Sequence, residues 1–444
     1  MNAPRQTPPP SVYGLHAHPQ RGALDRETHA RPPEELCAPV RATHLAMLSG
    51  TGAAAIDNDR RAVARLCEHY GVRQPDADAV HISVECGGFR LKWERHTEFS
   101  AYSFYLHETF LHPFERPAIS LLPPEWLQSL PGSVLVAAHM AIEPARSTPR
   151  DTVDLHVLFG TSNLAGGRVL GGSATVWSDF HIHGDGFSRI LIHDHGLQER
   201  QAGRLAQRLL DIETYRTLAL LGFPLAREAG GRLDALDARL VQLTASLAAG
   251  GIDFAGEQRL LDELAQLAAE SESTLAATSY RFAASRAYRA LVEKRIAELR
   301  EERIEGMQSI EEFMDRRFSP AMRTLESVRE RQEHLSRRVS RAATLLRTRV
   351  EVKLERQNSA LLDSMNRRAQ LQLRLQETVE GLSVVVLTYY LVSLIGYALK
   401  GIQKLGVPFN LEITTAIAIA PAALLVHLGL RRLRRRLGVE EDPH

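Results

Sequence analysis

The sequence predicts an α+β protein with three parts: an α/β domain, a long helical coiled-coil stalk and a two-helix transmembrane hairpin. Three observations predict it. Two uncharged apolar runs of eighteen residues lie close together late in the chain, and a proline-free stretch with one apolar stripe leads into them. Upstream, short β-like runs alternate with helical segments. The 444 residues divide into a polar tail (1–35), an α/β domain (36–228), a helical stalk (229–380) and a transmembrane hairpin with a basic tail (381–436).

The apolar runs are Leu382 to Leu399 and Ile413 to Leu430. A helix rising ~1.5 Å per residue crosses ~30 Å of hydrocarbon with roughly 20 residues, so both suffice if slightly extended. Arg431, Arg432, Arg434, Arg435 and Arg436 abut the second run, whereas the connecting loop holds only Lys400 and Lys404. Arginine excess stays on the cytoplasmic side, so both termini are expected there, with the loop outside. In the first run Tyr389, Ser393, Gly396 and Lys400 recur at gaps of four, three and four, with Tyr397 beside them. Such a stripe serves as a helix-packing face or lines a pore.

Before the membrane, Leu325, Val328, Leu335, Val339, Ala342, Leu346, Val350, Leu354, Leu361 and Met365 form one narrow stripe among Arg, Glu and Gln. A helix from Pro320 through the first span would exceed ~100 Å. So long a helix needs neighbours, either upstream helices or copies of itself. Leu233, Leu236, Leu240, Leu243 and Leu247 predict one such helix ending at Gly250-Gly251, and residues 257–304 predict a second.

In the α/β domain, strands are expected at 43–48, 81–86, 89–95, 99–106, 133–142, 153–159, 169–177 and 187–192, and helices at 57–70 and 197–221. A hairpin around Gly184-Asp185-Gly186 is expected to pair His183 with Phe187 and Trp177 with His193. That register puts Val176, Phe180, Ile182, Ile190 and Ile192 inside, and Trp177, Asp179, His181, His183, Arg189, His193 and His195 on a polar outer face. The histidines suggest zinc, but His181 and His193 would stand about 13 Å apart along the sheet, so one metal does not hold both pairs. Candidate ligand-binding residues are Glu27, His29 and Arg31 in a proline-anchored segment, and Glu94, His96 and Glu98 at a turn. Structural ion pairing is the competing role for both sets. Arg204, Arg208, Asp211 and Tyr215 share a helix face suited to pairing with neighbouring elements.

Composition narrows the function classes. With 54 Lys+Arg against 53 Asp+Glu there is no basic field, so nucleic acid is not an expected partner. Cys37, Cys67 and Cys86 form no C-x-x-C pair and suit a reducing cytosol. Met1 to His18 lacks an apolar run and reads as a polar tail rather than a secretory signal. Gly167 to Ser173 lacks the lysine of a phosphate loop, and no catalytic motif stands in a supporting context, so enzyme activity is not expected and no cofactor is named.

Two resemblances follow. The segments HPQRGALDRETHARPPEELCAPVRATHLAML, KWERHTEFSAYSF, GRLAQRLLDIETYRTLALLG and QNSALLDSMNRRAQLQLRLQETVEGLSVVVLTYYLVSLIGYALKG resemble an uncharacterised family of bacterial inner-membrane proteins. The order of parts is similar to the CorA-type magnesium transporter superfamily: cytoplasmic domain, stalk helix running into the first span, short outer loop, second span and basic tail. That likeness implies a homo-oligomer in the lipid bilayer, with a divalent cation as cargo. The superfamily ends its first span in Tyr-Gly-Met-Asn, where this chain has Ile395-Gly396-Tyr397-Ala398, so only the glycine matches and magnesium selectivity is not implied. The resulting expectation is an oligomer for ion permeation or membrane-coupled sensing. The alternative is a tethered scaffold that binds protein partners without transport.

Overall fold

The computed structural model describes residues 15–436 except 16, 23, 26–31, 146–149, 151, 162, 250–252 and 405–409. It is a mixed α+β chain in two compact units, one formed by residues up to 252 with 259–343, the other by 253–258 with residues from 344 onward.

The first unit is built on a nine-stranded sheet: β1 (Val40–Leu48), β2 (His81–Glu85), β3 (Arg90–Arg95), β4 (Ser100–Leu106), β5 (Ser133–Pro144), β6 (Ala165–Val169), β7 (Ala174–Ser178), β8 (Ser188–Asp194) and β9 (Glu302–Arg303). Their spatial order is β2-β3-β4-β1-β5-β8-β7-β6-β9. Every pairing is antiparallel except β5 with β8. The helices are α1 (Ala53–His69), α2 (Pro124–Gln128), α3 (Thr152–Phe159), α4 (Glu199–Leu220), α5 (Gly222–Ala249), α6 (Phe254–Leu299), α7 (Ile310–Arg317), α8 (Ser319–Lys404) and α9 (Leu411–Arg436).

Both faces of the sheet are covered. Ala42, Met140, Val176, Ile190 and Ile192 pack with α4, α6 and α7. On the opposite face Leu45, Leu91, Trp93 and Phe104 meet α1 and Trp126 of α2, and Trp177 and Leu191 meet Leu155 and Phe159 of α3. Two-sided burial explains why these strands read as continuous apolar runs. Gly203 lets α4 approach closely, because a Cβ there would overlap the carbonyl oxygen of Glu34.

Two expected strands differ. Residues 153–159 form helix α3, in which Leu155 and Phe159, four apart, are buried while Val153 and Val157 are exposed. A short apolar run does not distinguish a strand from a buried helix turn. Residues 169–177 divide into β6 and β7, because Leu170, Gly171 and Gly172 all take positive φ and form the turn between them.

The second unit contains the later part of α8, an 86-residue helix in all, and α9. Glu257, 2% exposed, accepts from Lys353 Nζ at 3.1 Å and pairs with Arg349 at 3.3 Å. Among the described residues, two helices are long and apolar enough to cross a membrane, the second being Leu411–Leu433. Their apolar windows are 0% and 6% buried inside the protein, unlike core helices.

Candidate functional site

The site is built where β7 ends. Val176 pairs with Ile192 and Trp177 with Leu191, a register two residues from the expected one, although the His183 N–H does donate to the Phe187 carbonyl at 2.9 Å. The two registers are reconciled by an irregular connection. Ser178 Oγ accepts the Phe180 N–H at 3.2 Å, Asp179 Oδ1 accepts the His181 N–H at 3.2 Å, and Phe180 takes a φ of 51°. These side-chain caps compete with ladder bonds and end the strand. The expected faces change as a result. Trp177 is buried beneath α3 and His193 is buried rather than outward, and Ile182, expected inside, is exposed.

The connection borders a cavity of about 630 Å³ with Thr161 and Asn163 after α3, Arg216 and Leu220 of α4, and Phe313 and Arg317 of α7. Asp179 is almost completely buried, and its Oδ2 lies 3.0 Å from His183 Nε2. Burial raises the Asp179 carboxyl pKa, against the pull of the His181 N–H and of His183. The Phe180 ring lies 4.9 Å from that of Phe313, with the Arg216 guanidinium 5.4 Å above it.

Among the four sequence-predicted histidines, His181 and His183 border this cavity, their rings 6.0 Å apart. His193 and His195 sit at the other end of β8, with rings 4.8 Å apart, and His195 Nε2 shares a 2.9 Å hydrogen bond with Thr175 Oγ1. Among the described residues, no group of three or more His, Cys, Asp or Glu is placed to hold a metal ion.

The remaining candidates occupy other places. Glu27, His29 and Arg31 lie outside the described residues. Glu94, at 3.1 Å from Lys92, is buried on β3, and His96 stacks on Phe99 at 4.2 Å. Glu98 is buried and structural. Its Oε1 accepts from Arg281 Nη1 at 3.0 Å and from the Tyr288 hydroxyl at 2.8 Å, and its Oε2 from Arg281 Nη2 at 2.6 Å. Arg281 and Tyr288 belong to α6, so this clamp fixes a helix to the sheet across 183 residues of sequence.

On the α4 face Arg208, Asp211 and Tyr215 pair with α6, and Arg204 is exposed. Arg208 Nε donates to Glu298 at 3.1 Å, Arg295 Nε donates to Asp211 at 2.8 Å, and Tyr215 stacks on Tyr288 at 5.7 Å. Burial outweighs Arg295 and pushes the Asp211 carboxyl up to about 7, with Glu94 adding to the rise. His44 bridges Ser103 at 2.8 Å and Thr214 at 3.1 Å in the same layer, and burial holds its pKa down to about 4.

In the second unit a Cβ added at Gly396 would stand 3.5 Å from Thr415 of α9, so the small residue sits where α8 faces α9, while Tyr389, Tyr397 and Lys400 are exposed and Ser393 is half-buried. Lys400 Nζ lies 5.7 Å above the Tyr397 ring. Arg431 and Arg432 are exposed near the end of α9, which continues through Arg434, Arg435 and Arg436.

Sequence reasoning missed Arg317, the Phe180 backbone and the Glu98–Arg281 pair. Only the first carries even a local signal, as a cation at the end of a short helix. No curated protein and no solved structure matches the chain. Residues 16–437 match the family described as Protein of unknown function (DUF3422), and the chain belongs to that family.

Proposed function

We propose that this protein is a homo-oligomer anchored in a bacterial inner membrane, with both termini on the cytoplasmic side, whose α/β domain senses a ligand and whose stalk conveys its state to the membrane. The observation that carries this reading is apolar surface the chain leaves uncovered. The membrane-length segments are 0% and 6% buried, a situation stable in lipid and costly in water. On α8, Leu346 is buried, yet Leu354, Leu361, Met365, Leu375 and Val379 on the same helical face are 41–66% exposed. A second copy of the same stripe is the covering that a coiled-coil stalk calls for. The order of parts, similar to that of CorA-type transporters, supports the same assembly, and the arginines after α9 support the orientation.

One observation favours a second reading, ion permeation. Tyr389, Tyr397 and Lys400 are exposed and would be free to line an axis between copies. A divalent cation is the cargo implied by the CorA likeness. A non-transporting scaffold that binds protein partners is the outcome left if neither sensing nor flux is found.

The assembly is tested by the mass of the full chain in detergent and by cross-linking Leu361→Cys after replacing Cys37, Cys67 and Cys86 with serine. An oligomeric mass and a disulfide between copies are expected. A monomer with no cross-link excludes a shared stalk. Flux of a divalent cation into liposomes carrying the oligomer separates permeation from sensing.

A further inference from the structure

The cavity at the end of β7 is lined by two guanidiniums that keep unspent donors. Arg317 has no ion-pair or hydrogen-bond partner among the described residues. Arg216 uses Nη2 on both Glu213 oxygens at 2.9 Å, while its buried Nε has no partner. Asp179 Oδ2 and His183 Nε2 lie 3.0 Å apart in the same lining, and burial disfavours the charged form of the Asp179 carboxyl. A cation entering would meet two guanidiniums against the one carboxyl of Asp179, and among the described residues no group of three metal-ligating side chains. An anion would meet unpaired donors.

Phe159, Phe180, Ile182, Phe313 and Phe318 add apolar wall beside Thr161, Asn163 and His181. The volume of about 630 Å³ falls among small-ligand sites, which run roughly 300–1,000 Å³. Phe180 is held at a φ of 51°, uncommon for a side chain of its size, and that conformation lays its ring on Phe313 while Asp179 stays buried.

We infer that this cavity binds a small organic anion, one carboxylate or phosphate group on an aromatic or apolar body. Arg317 and Arg216 hold the charge, and Phe180 and Phe313 take the body. The inference deepens the sensing reading and rests on it for its role in the cell, while the binding itself is separable.

The test is calorimetric titration of the full chain in detergent with phenyl phosphate, benzoate, inorganic phosphate and phenyltrimethylammonium. Saturable binding of one aryl anion per chain is expected, at least about tenfold tighter than inorganic phosphate. The preferred aryl anion identifies the charged group. Arg317→Gln, at an exposed position, is expected to weaken binding about tenfold or more with unchanged melting temperature. Arg200→Gln, which removes a surface pair with Glu35 elsewhere, should leave affinity unchanged. Equal affinity for inorganic phosphate, binding of the cation, absence of any binding, or an unaffected Arg317→Gln variant overturns the inference. If no anion binds a demonstrated oligomer, the cavity assignment alone falls. If an anion binds a chain that is monomeric, the assembly falls and the cavity stands.

Discussion

Replacing Glu98 with alanine is expected to destabilise the first unit by about 3 kcal/mol or more, the usual cost of breaking a buried ion pair from one side. The carboxylate holds Arg281 through two hydrogen bonds and Tyr288 through a third. Its removal leaves the Arg281 guanidinium, 17% exposed, without that partner, and opens the contact that fixes α6 to the β3–β4 turn. Glu98→Gln keeps the volume and one acceptor oxygen and should cost less. Urea unfolding of the purified chain, followed through the buried Trp93 and Trp126, measures both variants. A loss under about 0.5 kcal/mol for the alanine variant, as for an ordinary surface substitution, would show that the clamp does not hold the helix.

The second large effect concerns pH. Asp211 keeps its proton to about 7 in the folded chain, against an ordinary value of 3.8. Between those values the folded state binds more protons than the unfolded one, so this group's contribution to stability falls as pH rises and levels off above 7. The full shift corresponds to about 4 kcal/mol at most, at 1.36 kcal/mol per unit. Asp211→Asn removes that dependence. Wild type should therefore lose stability relative to the variant as pH rises from about 4 to 7. Buried His44 works in the opposite direction over part of this range, but it is present in both proteins and cancels in the comparison. A wild-type-to-variant difference that is constant with pH would show that Asp211 titrates as in the unfolded chain.

Hydropathy and charge made the later part of the chain legible, because a long uncharged run has few structural meanings and α8 continues through Leu382 to Leu399 without a break. The strands with period-two or continuous apolar character, such as 43–48 and 99–106, were also legible. The β7–β8 register was not. It depends on Ser178 and Asp179 capping backbone N–H groups and on Phe180 adopting a backbone that its residue type disfavours. Helix α3 was missed because Leu155 and Phe159 alone carry its period. The cavity was half legible. His181 and His183 drew notice by type, whereas Arg216 and Arg317 are brought to them from distant sequence by packing that no local pattern encodes.

Insertion of α8 and α9 into lipid is the claim on which anchoring, orientation and stalk assembly depend. Washing membranes from cells that make the full chain with alkaline carbonate tests it most directly. The chain should remain in the pellet and be released only by detergent. Its recovery as dispersed protein in the detergent-free wash would contradict the account.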